Sequence, residues 1–250
     1  ATPAGGEVVI SKVYGGGGTP GATVTPDFIE LYNRSGNTVN VTGWSVQYAS
    51  SSGTSWQVTG LSGSLAPGQY YLIQQAQGSG GTTPLPTPDA IGTIAMSGTS
   101  GKVALVSNST ALSGSCPLGS PVADFVGYGS SANCFEGSGP TGTLSNTTAA
   151  LRNGSGATDT DDNANDFTVG TPDPRNSSFG FDFAPFVTST TPGNGAINVA
   201  NSANIIITFN EPVDVAGSWF TIVCSSSGGH TAVAGGRPTH LKLQPDRELV

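Results

Sequence analysis

The chain has 250 residues, enough for one or two domains, and charged residues make up only 10% of it, alongside 37 glycines and 17 prolines. So few charges argue against amphipathic helices and favour short strands joined by many turns. The net charge is −8, which would repel a phosphate backbone, so we expect no direct binding to nucleic acid.

The first predicted strands show the alternation of a half-buried sheet. Val8–Tyr14 and Asp27–Asn33 are rich in β-branched and aromatic residues and are separated by glycines. In the second of them, Ile29 and Leu31 point to one face of the sheet. Glu30 points to the other face, where we expect an outward-facing acid on a half-exposed sheet. The alternative is a carboxylate directed into a neighbouring strand or loop.

Further strand signals follow at short intervals. They lie at residues 39–48, 55–61, 69–75, 91–96, 102–106, 122–128 and 148–152. Gly43 breaks the alternation between Val41 and Trp44, which predicts a bulge or a bend. Several short strands separated by turns such as Pro67-Gly68 indicate an all-β sandwich or barrel.

Four aromatic residues raise the question of sugar binding. They are Trp44, Tyr48, Trp56 and Tyr70. Exposed side by side, such rings would form a platform for a sugar, but a small sandwich more often uses them to close its core. We therefore expect core packing.

A second series of strand signals begins at Val187. These signals lie at residues 187–190, 204–209, 218–224 and 241–243. Residues 187–250 are fewer than the ~100 that an immunoglobulin-like sandwich uses, so we expect this second domain to be truncated. The predicted organisation is one domain at 1–178, a linker at 179–186 and a partial domain at 187–250.

The three cysteines are too few for a disulfide scaffold, and none has the CxxC spacing of a zinc site. Cys116 and Cys134 flank the predicted strand Val122–Tyr128. A disulfide between them would join the two ends of the segment that contains this strand, and it would indicate an oxidising compartment. Two buried free thiols are the alternative.

An acidic segment is the sharpest candidate for a metal site. Its oxygen-bearing residues are Asp159, Asp161, Asp162, Asn163 and Asp166. Alternating oxygen ligands in a short loop are how an EF-type calcium loop begins. A full EF-hand is excluded, because Ala164 stands where it needs glycine and Gly170 stands where it needs glutamate. Two interpretations stay open for the segment: an irregular Ca2+ loop, or a solvated acidic turn held by Asx hydrogen bonds.

No catalytic residue is predicted. His230 and His240 have no HxxE or HExxH spacing, and no Gly-x-Ser-x-Gly elbow is present. The glycine-rich residues 15–21 lack the Lys-Ser/Thr of a phosphate-binding loop, so we interpret them as a loop between strands. Calcium is thus the only cofactor that the residues suggest.

Several short sequence motifs, taken in their order along the chain, resemble those of the bacterial lamin tail domain. They occupy residues 14–18, 27–33, 43–48, 66–73, 124–129, 133–137, 159–167 and 174–176. The resemblance covers residues 7–178 and implies an immunoglobulin-like β-sandwich of secreted or cell-surface proteins. Such domains often precede an enzyme of the endonuclease/exonuclease/phosphatase superfamily. Residues 188–199 and 207–213 are similar to bacterial immunoglobulin-like repeats, which act mainly as spacers; in such repeats a cysteine like Cys224 can pair further along the chain.

Together these features favour a non-catalytic extracellular module of accessory or adhesion type. It would position a neighbouring, downstream domain of the same polypeptide and bind a protein or glycan. The alternatives are part of an extracellular, metal-dependent nuclease or phosphatase whose catalytic domain is not in this sequence, and a carbohydrate-binding module. No apolar run approaches the ~18–20 residues of a membrane-spanning helix, so we expect no membrane span.

Overall fold

The structure is a computed structural model that describes residues 6–180, 186–200, 203–209, 222–224, 228–230, 232–237 and 240–245. Contacts divide the chain into two compact units, Ala1–Phe181 and Asp182–Val250. In the described residues of both units, the regular secondary structure is almost entirely β-strand, which confirms the all-β prediction. Among the described residues, no helix has the length and apolar character to cross a membrane.

The first unit is a sandwich of two sheets. Its strands are β1 (Val8–Tyr14), β2 (Pro26–Asn33), β3 (Val39–Asn40), β4 (Ser45–Ser50), β5 (Gln57–Gly60), β6 (Ser64–Leu65), β7 (Tyr70–Gln77), β8 (Ala90–Ile91), β9 (Gly101–Val106), β10 (Val122–Tyr128), β11 (Ala149–Arg152) and β12 (Phe167–Gly170). The larger sheet has the order β12-β11-β1-β2-β7-β8, and the smaller has the order β10-β9-β4-β5. The short strands β3 and β6 pair separately.

The core lies between the two sheets. Ile29 and Leu31 of the larger sheet are fully buried in one cluster with Val103 and Leu105 of the smaller sheet. This confirms the direction predicted from alternation. Burial of each such aliphatic side chain contributes about 1.5–3 kcal/mol relative to leaving it in water.

The outer face of the larger sheet is also covered. Phe28 packs there against Tyr14, with ring centroids 5.4 Å apart, in a cluster that includes Leu72. Glu30 shares this face and is completely buried. The expectation of a half-exposed acid is therefore wrong, because the chain beyond β12 folds back over this face.

Three local features refine the predicted strands. Gly43 separates β3 from β4 with φ at 86°, a backbone conformation that glycine adopts without strain, and this confirms the predicted break. The strand predicted at 91–96 ends at Ile91, and Ile94 beyond it is buried as part of a loop. β12 had no strand prediction, since Phe167–Gly170 is short and follows an acidic segment.

Between β11 and β12 the chain forms a 3-10 turn at Gly154–Gly156 and a one-turn helix, α1 (Asn163–Asp166). Asp162 is the N-cap of α1, and its side chain accepts a hydrogen bond from the backbone N–H of Ala164. This segment carries all five residues of the predicted calcium loop.

The second unit contains two described sheets. Its strands are β13 (Val187–Thr191), β14 (Ile205–Phe209), β15 (Ile222–Cys224), β16 (Gly228–His230), β17 (Ala232–Arg237) and β18 (His240–Pro245). β13-β14-β18-β17 form one sheet, and β15 pairs with β16. The strands predicted at 187–190, 204–209 and 241–243 are present. Residues 218–221 of the predicted strand at 218–224, and residues 181–185 of the predicted linker, lie outside the described residues.

Candidate functional site

A buried arginine surrounded by acids lies at one edge of the first unit. We call this the Arg152 cluster, and its members are Arg152, Asp124, Glu136, Asp159 and Asp166. β10 supplies Asp124, the loop after β10 supplies Glu136, and Arg152 ends β11. The connection between β11 and β12 supplies the two remaining aspartates.

Arg152 makes close ion pairs on two sides. Its Nη2 donates to both carboxylate oxygens of Asp124, at 3.0 and 2.8 Å, and its Nη1 donates to Asp159 at 2.9 Å. Nε donates to the carbonyl of Ile10 at 2.8 Å. Asp166 lies 3.7 Å from Nη1. Since the arginine and its partners are nearly inaccessible to water, these contacts join β1, β10 and β11 into one rigid unit.

The predicted calcium residues do not converge on one point. Asp159 and Asp166 belong to the Arg152 cluster, whereas Asp162 caps α1 and accepts from the Ser138 hydroxyl at 2.9 Å. Asp161 takes a positive φ of 55° in the turn before the helix. The Asx hydrogen bonds of the alternative interpretation are thus present, and the five-residue calcium loop stays a prediction.

Asn163 has a separate structural role. It is fully buried, and its Oδ1 accepts from the backbone N–H of Gly127 at 2.9 Å. Its Nδ2 donates to the carbonyl of Phe125 at 3.0 Å and to Glu136 Oε2 at 3.2 Å. Asn163 therefore satisfies backbone groups on the unpaired edge of β10, as a neighbouring strand would.

The Arg152 cluster disfavours further negative charge. Burial raises the pKa of Glu136 to about 9, and the charge of Asp124 adds to this. Burial also raises the pKa of Asp124, although Arg152 acts in the opposite direction. Burial, followed by repulsion from Asp159, raises the pKa of Asp161.

Three of these acids lie close enough to share a cation. One carboxylate oxygen each of Asp124, Glu136 and Asp159 lies within 4.8 Å of the others. In the part of the chain that the structure describes, no other group of three His, Cys, Asp or Glu residues has this spacing. Only Asp159 is shared with the sequence-based prediction.

Sequence reasoning missed Asp124, Glu136 and Arg152 because they are far apart along the chain. A signal was nevertheless present. Asp124 interrupts an otherwise apolar strand and Arg152 ends another, in a chain with few charged residues. Charged residues inside predicted buried strands are rarely tolerated without partners, so residues of opposite charge in such strands should be expected to form ion pairs.

A second buried charge cluster holds the end of the first unit. Glu30 accepts from the Arg175 side chain at 2.8 Å and from the Arg175 backbone N–H at 2.7 Å. Lys12 Nζ donates to Glu30 at 3.1 Å and also to the carbonyl of Asp173. The Arg175 guanidinium stacks 3.6 Å from the ring centroid of Tyr70. This cluster fastens residues 173–175 to the outer face of the larger sheet.

The loop between β9 and β10 is held at several points. The predicted disulfide between Cys116 and Cys134 is present. The buried Lys102 donates to the carbonyls of Gly53 and Ser115 at 2.8 and 2.7 Å, and to Asn133 Oδ1 at 2.8 Å. No carboxylate is among these three acceptors, so Lys102 serves to join loops rather than to neutralise an acid.

The candidate sugar-binding aromatics are mostly buried. Tyr48, Trp56 and Tyr70 are 4%, 6% and 7% exposed, and Trp44 packs against the main core. Trp56 Nε1 donates to the carbonyl of Gly114 at 3.0 Å. The core-packing interpretation is therefore correct, and these rings form no open platform.

A surface cavity of about 380 Å3 lies in the loop between β9 and β10. Its lining includes Thr110, Ala111, Leu112, Pro117, Leu118 and Pro121. Gln47 holds one wall, since its side chain donates to the carbonyl of Thr110 at 2.9 Å and accepts from the N–H of Leu112 at 2.8 Å. The cavity thus has fixed walls and a mixture of apolar and polar groups.

The remaining sequence candidates lie in the second unit. His230 ends β16, His240 begins β18 and Cys224 ends β15. β15 pairs with β16, whereas β18 belongs to the other sheet, so the two histidines lie on strands of different sheets. The side chains of these residues lie outside the described part of the chain.

Comparison with known families agrees with this architecture. A family model described as Lamin Tail Domain matches residues 1–163, and one described as Bacterial Ig-like domain matches residues 182–250. No curated protein matches the chain.

Proposed function

The chain belongs to the lamin tail domain family and continues into a bacterial Ig-like domain, and from this we propose that it is an accessory or adhesion module of a larger secreted or cell-surface protein. In this role it positions a neighbouring domain of the same polypeptide and binds a protein or glycan through its loops. Its own residues carry out no chemical step.

The observation that supports this proposal most strongly is the fixed loop between β9 and β10. Loops on a rigid sandwich are the usual place for recognition. Here the Cys116–Cys134 disulfide, the Lys102 hydrogen bonds and the Trp56 indole restrain the loop from three directions. A restrained loop loses little conformational freedom on binding, so more of the contact energy remains as affinity.

The buried charges support the same proposal. Asp124, Glu30 and Arg175 are buried and paired with opposite charges. Such groups fasten strands and loops, whereas a nucleophile or general base must reach a substrate. These buried acids and bases of the first unit thus serve mainly to stabilise the fold.

The loop-binding part can be tested with arrays of glycans and of extracellular proteins, probed with the labelled chain. We expect at least one class of ligand to be retained, and Ala111→Trp in the cavity to weaken that binding at least tenfold. Ala200→Trp, at another exposed alanine in the second unit, is the matched control and should leave binding unchanged.

Binding that Ala111→Trp leaves intact would overturn the role of this loop. The absence of any ligand on both arrays would overturn the adhesion function and leave the positioning of a neighbouring domain to be tested with the longer polypeptide.

A further inference from the structure

Asp124, Glu136 and Asp159 have the spacing of a cation site. One oxygen from each lies within 4.8 Å of the others, and Ca2+ binds oxygen at about 2.3–2.6 Å, so a single ion can touch all three. The three side chains come from β10, the loop after it and the segment before α1. A bound ion would therefore join segments that are distant in sequence.

One carboxylate oxygen of Glu136 has no hydrogen-bond partner among the described residues. Glu136 is 1% exposed, and its Oε1 is buried without a donor among the described residues. Its Oε2 accepts, among the described residues, only the amide N–H of Asn163 at 3.2 Å. Buried carboxylate oxygens are normally paired, so an unpaired one beside two other carboxylates points to a positive partner, either a proton or a cation that displaces it.

The charges of the cluster favour a divalent partner. Asp124, Glu136, Asp159 and Asp166 carry four negative charges when ionised, and Arg152 carries one positive charge. Arg34 adds a second positive charge through its 2.9 Å contact with Asp159. Once a cation has displaced the proton of Glu136, the remaining charge is −2, which one divalent cation would neutralise.

We propose that Asp124, Glu136 and Asp159 form a buried binding site for Ca2+ that locks β10 to the segment preceding α1. The three described residues of this site offer only carboxylate oxygens, and oxygen ligands suit a hard cation. Calcium tolerates the irregular arrangement that Arg152 imposes, and backbone carbonyls or water can complete its shell.

The neighbouring arginine sets the expected affinity. Arg152 already occupies part of the coordination space of Asp124 and Asp159, so binding is weaker than in a site of three free carboxylates. We expect a Kd in the ~0.1–1 mM range, where calcium sites of extracellular modules are found.

The test is calorimetric titration of the whole, chelator-treated chain with CaCl2, with thermal melting in parallel. We expect one bound Ca2+, a melting temperature that rises with calcium, and about an elevenfold rise in the folded-to-unfolded ratio at ten times Kd. The same titration with MgCl2 should give weaker binding, because Mg2+ requires near-octahedral geometry.

Two variants distinguish this site from the loop predicted by sequence. Glu136→Gln keeps the side-chain size and removes the unpaired carboxylate, so it should abolish calcium binding. Asp161→Asn is the control, because asparagine tolerates the positive φ of 55° at that position and Asp161 is outside the proposed site. It should bind calcium as the unmodified chain does.

The opposite pattern, with binding lost in Asp161→Asn and kept in Glu136→Gln, would overturn the proposal in favour of the loop. Absence of heat and of any melting shift at 10 mM CaCl2 in the unmodified chain would also overturn it. That titration needs no variant, so it decides even where Glu136→Gln does not fold.

Discussion

Arg175 holds Glu30 across a sequence separation of 145 residues, with Nη2 donating to Oε1 at 2.8 Å. Glu30 lies in the middle of β2 on the face opposite the main core, and it is fully buried. Lys12 on β1 is its other basic partner. The segment after β12 therefore acts as part of the first unit, because it neutralises and covers a charge in the centre of the larger sheet.

Arg175→Leu should destabilise the chain strongly. The change leaves the Glu30 carboxylate buried with Lys12 alone, and breaking a buried ion pair costs about 3–5 kcal/mol. Urea unfolding followed by circular dichroism measures the free energy of unfolding. Arg34→Leu is the control, since that side chain is 30% exposed and its pair with Asp159 should be worth at most about 1 kcal/mol. Equal losses in the two variants would contradict this account.

Truncation should show the same dependence on the distal segment. The lamin tail family match ends at residue 163, whereas Arg175 and β12 lie beyond it. We expect residues 1–180 to fold with one cooperative thermal transition. Residues 1–163 should lack such a transition, because they lose both an edge strand and the partner of Glu30.

This pair of truncations also tests the predicted first-domain boundary at residue 178. A chain of residues 1–163 that melts as cooperatively as residues 1–180 would show that the family match alone delimits the domain.

The strands were predictable from sequence where their alternation is local. β1 and β10 coincide with the predicted segments, because apolar residues on one face report directly on burial. The burial of Glu30 was not predictable, since it depends on Arg175 far along the chain. Alternation shows which face a side chain points to, but it does not show what later covers that face.

The candidate site illustrates the same limit. Counting oxygen-bearing residues between Asp159 and Asp166 assumes that neighbours in sequence share one ligand. In the structure Asp162 turns to the helix end and Asn163 turns to β10, while Asp124 and Glu136 approach Asp159 from other elements. The backbone path of the loop decides which oxygens meet, and that path depends on contacts outside the loop.

Removal of the disulfide should lower stability by about 3 kcal/mol. Cys116 and Cys134 close a loop with a sequence separation of 18, and the entropy model gives about this value for a loop of similar size. The Cys116→Ser/Cys134→Ser double variant can be compared with the unmodified chain by urea unfolding, with and without dithiothreitol. Reductant should shift the midpoint of the unmodified chain only. A reductant effect of equal size in the double variant would contradict the assignment.

Stability should fall as the pH rises from about 4 to about 7. Burial raises the pKa of Asp27 from its usual 3.8 to about 7, although the N–H groups of Met96 and Gly17 act in the opposite direction. The folded state therefore binds a proton more tightly than the unfolded state across this window, and its stabilising effect is lost as the pH approaches 7. Glu136, with its pKa raised to about 9, contributes in the same direction and extends the decline.

Asp27→Asn isolates the contribution of Asp27. The variant should be less stable overall, because the side-chain NH2 group of asparagine would face one of the two backbone N–H donors, of Gly17 or Met96. Its stability should nevertheless depend less on pH between 4 and 7. The measurement is the free energy of unfolding in urea at several pH values. An unchanged slope in this window would show that Asp27 titrates at its ordinary pKa.

The central claim, that the chain acts without catalysing a reaction, is tested most directly by a turnover assay. The purified whole chain is incubated with double-stranded DNA and with a chromogenic phosphate ester, each with Mg2+, Ca2+ or chelator. We predict that product forms at the rate of the buffer control in every condition. Metal-dependent hydrolysis that co-elutes with the chain on gel filtration would contradict the claim and identify a catalytic function within these two domains.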